Sequence, residues 1–126
     1  MKLLSKEMDS GFQICGQSFY SNHDSGKWCI FLSPEDVDEV WAKVTAACLD
    51  GRLVAAMGST KGQREHLRLD THVICVFNEN WDNIAEVNQV RDTLLELGIT
   101  QEMKYKRDLN TFRGHDIFEY ETVNAR

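Results

Sequence analysis

The sequence predicts an α+β domain in which one mixed, mostly antiparallel, curved sheet carries two long helices packed on one face. Two segments place apolar residues at helical spacing, and several shorter segments read as strands. Two helices are too few to cover both faces of the sheet those strands would form, so both on one face is the economical arrangement. The 126 residues suffice for one domain, and a content of 42% hydrophobic and 10% aromatic residues argues against disorder.

Residues 1–25 read as an N-terminal extension with one short strand, Phe12 to Cys15, and residues 26–126 as a single α+β domain. Tyr20 to Gly26 is a loop by composition. Lys27 to Leu32 reads as a strand, its aromatic and β-branched residues outweighing one charge. Ser33-Pro34-Glu35-Asp36 then starts a helix: serine can cap, proline suits the first helical position, and two acids favour the positive end of the dipole. Val37, Val40, Trp41, Val44 and Cys48 follow at spacings of three and four, and Gly51 is the stop.

Leu53 to Met57 is a short strand candidate and Gly58 to Gly62 a loop. Thr71 to Phe77 is the clearest strand, hydrophobic enough for a central position covered on both faces. A second helix runs from about Asp82 to Leu97, with Ile84, Val87, Val90, Leu94 and Leu97 as its buried stripe and Gly98 at its end. Glu102 to Lys106 and Ile117 to Tyr120 complete the strands.

Composition restricts the function. No apolar run approaches the roughly 20 residues that span a bilayer, and the N-terminus turns polar too early for a signal peptide. A cytoplasmic protein without a membrane partner is therefore expected. A net charge of −6 excludes a general nucleic-acid binder, which needs a basic surface to displace counterions. Cys15, Cys29, Cys48 and Cys75 lack metal-like spacing and read as reduced thiols, and His23, His66, His72 and His115 are dispersed. Walker, GxGxxG, HExxH and nucleophile-elbow signatures are missing, so no metal or cofactor is expected.

Two groups of cations stand out, Lys61, Arg64 and Arg68 in one loop and Lys104, Lys106, Arg107 and Arg113 near the C-terminus. Each is either a solvated face or part of a basic patch. Strand alternation puts Lys27, Cys29 and Phe31 on one face, opposite Trp28, Ile30 and Leu32, which suit the core beneath the helices. Lys27 and Cys29 would then point to the open face, where Met57 and Lys104 or Lys106 can join them. A lysine that simply meets water at a strand start is the alternative. Trp28 and Trp41 fall on core-facing positions, which leaves Trp81, between Asn80 and Asp82 in a turn, as the tryptophan expected to be exposed.

The runs Gly26 to Val37, Leu53 to Thr60, His72 to Phe77 and Tyr105 to Asp108 resemble the basophilic-leukaemia-expressed protein family. That family has no assigned function and a fold similar to the cap-binding translation initiation factor, and the resemblance covers about residues 25 to 115. More distantly, the layout resembles the phosphothreonine lyases secreted as bacterial effectors. In those enzymes a lysine removes the α-proton, a histidine protonates the leaving group, and further cations hold the phosphate. Their Lys-x-His strand aligns with Lys27-Trp28-Cys29, and their catalytic lysine falls near Met57. Lys27 thus matches a phosphate-contacting position, whereas Cys29 and Met57 replace the acid and the base. A thioether cannot accept a proton, and a neutral thiol is a poor substitute for imidazolium.

The expected function is binding of a phosphorylated small molecule, nucleotide or phosphopeptide on the open sheet face, with weak catalysis or none. Lys27, Cys29, Met57, Lys104, Lys106, Arg113 and Trp81 are the expected contacts. Lyase-like β-elimination with Lys27 or Lys106 as a relocated base is one alternative. A protein-interaction or inhibitor module without a ligand pocket is another. Gly58 to Arg68 is the segment expected to move or order on binding.

Overall fold

A computed structural model of the chain describes residues 3–9, 11–16, 22–114 and 118–122. Its elements run β1 (Phe12–Gly16), β2 (Gly26–Leu32), α1 (Val37–Leu49), β3 (Ala55–Ser59), α2 (Lys61–His66), β4 (His72–Asn78), α3 (Ile84–Glu96), β5 (Met103–Arg107), α4 (Asp108–Phe112) and β6 (Tyr120–Thr122). The strands form one sheet in the order β1-β3-β4-β2-β5-β6, and every described pairing is antiparallel. The two long helices, α1 and α3, pack on one face, as the α+β reading expects.

Pleat alternation decides what that face buries. Trp28, Ile30 and Leu32 of β2 meet Ile74 and Val76 of β4, Met103 and Tyr105 of β5, and the apolar sides of both helices. Val37, Val40, Trp41, Val44 and Cys48 of α1 and Val87, Val90 and Leu94 of α3 are buried there, matching the helical spacing. Trp28 also satisfies its one polar atom, because its indole Nε1 donates to the Val87 carbonyl at 3.0 Å and so ties β2 to α3. Ile84 departs from the expected stripe. It is the first residue of α3 and is 48% exposed.

His72 lies fully buried at the start of β4. Its Nδ1 is 2.8 Å from the Ser59 carbonyl, which can only accept, so Nδ1 carries the proton and Nε2 is the lone-pair nitrogen. Nε2 has no partner among the described residues. Burial pulls the His72 pKa below its ordinary value, and the nearby Arg64 charge acts in the same direction.

Most of the stretch expected to be a loop from Gly58 to Arg68 is strand and helix instead. β3 continues to Ser59, Thr60 caps α2 by accepting the Gln63 N–H on its hydroxyl at 3.1 Å, and α2 runs to His66. Gly62 gave the segment its loop-like composition, but packing explains it. A Cβ there would lie 2.0 Å from the Met8 carbonyl oxygen, so glycine lets the N-terminal segment approach. β3 also begins two residues later than expected, because Leu53 N–H still closes the end of α1 on the Ala47 carbonyl at 3.2 Å. The short helix α4 follows β5 without an intervening loop and was not expected. The strand expected over Ile117 to Tyr120 is found at Tyr120–Thr122, and its first residue lies outside the described residues.

Candidate functional site

The second sheet face carries two rows of side chains that register fixes. One row crosses Ala55, Phe77, Lys27 and Lys106 on β3, β4, β2 and β5. The next crosses Ile14, Met57, Cys75, Cys29 and Lys104, from β1 to β5. Lys27, Cys29, Met57, Lys104 and Lys106 therefore share one face, as strand alternation predicts. This face is less open than expected. Cys29, Cys75, Ala55 and Phe77 form a small second core with Phe31, Met57 and Val73, and toward the β1 edge Ile14 stands 76% exposed.

Lys27 does not simply meet water. It is 6% exposed, and its ammonium donates to the Asp108 carboxylate at 2.6 Å and to the Thr111 hydroxyl at 2.9 Å. Ser25 donates its hydroxyl to the other Asp108 oxygen, and Asp108 N–H donates to the Ser25 carbonyl at 2.9 Å. The Phe77 ring lies beneath the ammonium at 5.7 Å. Burial of a charge demands such pairing, and α4 supplies it by turning directly off β5. The ion pair and the Thr111 contact make Lys27 an anchor that ties β2 to α4.

Cys29 and Cys75 stand opposite each other with their sulfurs 3.9 Å apart, both buried. Their shared hydrogen bond pulls the Cys29 thiol below its ordinary pKa, and Lys27 and Lys106 reinforce this against the effect of burial. The same bond, with burial, pushes Cys75 well above its ordinary value. Cys15 and Cys48 form a second hydrogen-bonded pair on the helix side, lowering the former and raising the latter. All four cysteines are free thiols, as expected.

The remaining expected contacts are more scattered. Lys104 pairs with Glu102 at 3.5 Å, and Lys104 and Lys106 lie 5.3 and 5.9 Å from the Phe118 ring. Arg113 is exposed just beyond α4. Trp81 is half-buried rather than exposed. It packs against the main core, and the Arg107 guanidinium stacks on its ring at 3.8 Å. Arg107 alternates with Lys106 and so belongs to the helix side of β5, which separates Trp81 from the lysine face. Sequence reasoning missed Asp108, Ser25 and Thr111. A lone lysine inside an apolar strand was the available signal that a counter-ion had to exist, but nothing local pointed to a residue 81 positions away.

Among the described residues, no group of three or more His, Cys, Asp and Glu side chains could hold a metal ion. Among them also, no helix is long and apolar enough to cross a membrane. Fold and site together define an α+β domain with one antiparallel sheet, its two long helices on one face, and lysines set in a largely buried second face. A family model described as Basophilic leukemia-expressed protein Bles03 matches residues 15–114. The chain belongs to that family.

Proposed function

We propose that the chain binds a phosphate-bearing anion, whether small molecule, nucleotide or phosphopeptide, over the lysines of β2 and β5, without necessarily transforming it. The observation that carries this reading is the direct cross-strand pairing of Lys27 with Lys106, with Lys104 in the adjoining row. Like charges placed opposite each other destabilise a sheet. In a chain of net charge −6, Lys27, Lys104 and Lys106 gather on one sheet face, with Asp108 and Glu102 paired to the first two. A phosphate above β5 would be contacted by Lys104 and Lys106, with Lys27 held beneath them by Asp108. Arg113, exposed beyond α4, is the further cation that a larger ligand would meet.

Thermal-shift and calorimetric titrations with inorganic phosphate, mononucleotides and a phosphothreonine peptide test the proposal. Ligand at about 100 times its dissociation constant stabilises the fold by roughly 2.7 kcal/mol. That gain should shrink in Lys106→Ala and Lys104→Ala, whereas a chain unmoved by every phosphate compound would sink the reading. The second reading, a protein-interaction module, draws on Phe12 and Ile14, which are exposed on the strand that ends the described sheet.

A further inference from the structure

Cys29 and Cys75 are directly opposed residues of adjacent antiparallel strands, with their sulfurs 3.9 Å apart. Opposed residues in such a ladder have Cα atoms about 4.5–5.5 Å apart, inside the roughly 4.4–6.8 Å that a disulfide spans. Closing the bond therefore asks for rotation of two side chains and not for movement of strands. We propose that Cys29 and Cys75 form a reversible dithiol–disulfide couple in the sheet, closed by a peroxide-class oxidant and reopened by thiols.

The environment distinguishes the two sulfurs. Cys29 stands opposite Lys104 of β5, with Lys27 and Lys106 in the adjoining row, whereas the other neighbour of Cys75 is Met57 of β3, so Cys29 is the attacking sulfur. Its thiolate takes the terminal OH of hydrogen peroxide, giving a sulfenic acid and releasing hydroxide, which the proton lost from Cys29 neutralises. The Cys75 thiol then attacks the sulfenic sulfur. The S–S bond forms, the S–OH bond breaks, and water leaves with the Cys75 proton. Peroxide supplies both oxidising equivalents, and two molecules of water are the by-product. Access is from the second face, where Met57 is partly exposed beside Cys75.

Peptide mapping tests the couple directly. The folded chain is treated with hydrogen peroxide, its remaining thiols are alkylated, and it is digested with trypsin without reductant. The expected product is peptide 28–43 joined to peptide 69–91 and separated again by dithiothreitol. In Cys75→Ala the same dose should leave Cys29 as a sulfenic acid that dimedone traps. Three outcomes would overturn the proposal: recovery of both peptides alkylated, joining of Cys29 to Cys15 or Cys48, or linkage that forms no faster in the folded chain than in urea. Folding of the variant is checked by circular dichroism, and the mapping of the unmutated chain does not depend on it.

Discussion

Lys27 and Lys106 face each other across β2 and β5, and the carboxylate that holds the first of them, Asp108, arrives from the helix that directly follows the second. Repulsion between the lysines and attraction to Asp108 are thus built from one short segment of chain, Lys106 to Thr111. This makes the β5–α4 junction the electrostatic centre of the second sheet face, and several outcomes depend on it.

Replacing Lys27 by alanine should cost about 3–5 kcal/mol, because it leaves the Asp108 carboxylate buried without its cation. Removing both charges together, as Lys27→Met with Asp108→Asn, should recover most of that loss. Urea unfolding of the three chains provides the comparison. A single variant less than about 1 kcal/mol below the parent would mean that the pair is solvated.

Stability should fall on the acid side because of His72. Burial keeps its folded-state pKa below the ordinary 6.5, so the unfolded chain binds a proton at pH values where the folded chain does not. Stability is therefore unaffected by this group above about pH 6.5, declines as the pH drops below it, and levels off once the folded-state pKa is passed. Urea midpoints measured between about pH 5 and 7.5 should show this decline, by up to about 1.4 kcal/mol per pH unit from this group. The decline should flatten in His72→Gln, and an unchanged slope in that variant would remove His72 as the cause.

Gly26 opens β2 beneath the Tyr105 ring, where an added Cβ would stand 2.2 Å from the phenol oxygen. That oxygen donates to Asn78, so Gly26→Ala should displace the ring and disturb a buried hydrogen bond at once. The expected loss is about 1–3 kcal/mol with a changed near-ultraviolet tyrosine signal. Unchanged stability would mean that the ring can move freely.

Arg107 and Trp81 should couple. A double-mutant cycle of Arg107→Ala and Trp81→Ala is expected to give about 0.5–1 kcal/mol of interaction from the stacked guanidinium. Additive losses would show that the stack contributes nothing beyond packing.

The helix-facing half of the fold is legible in the sequence because burial there is periodic. Val37, Val40, Trp41, Val44 and Cys48 mark one stripe, and Trp28, Ile30 and Leu32 mark the facing strand side. Alternation also placed Lys27, Cys29 and Met57 on a common face. It could not supply the covering of that face, since α4 is a five-residue helix with no apolar period and its carboxylate acts at long sequence range. Thr60 to His66 misled for a related reason: Gly62 answers a contact with Met8 that no local pattern encodes. Trp81 was read from its polar neighbours Asn80 and Asp82, whereas Arg107 from another strand determines its surroundings.

The order in which the strands are joined has a bearing on biosynthesis. By the time residue 96 has left the ribosome, β1, β3, β4 and β2 and both long helices exist, enough to assemble the greater part of the hydrophobic face. Asp108 is still to come. Until it emerges, the nascent sheet must keep the Lys27 ammonium hydrated, so the second face stays wet and strand β2 retains an exposed flank. Arrival of β5 and α4 would then dry that flank, because Asp108 and Thr111 bring the partners of the Lys27 ammonium.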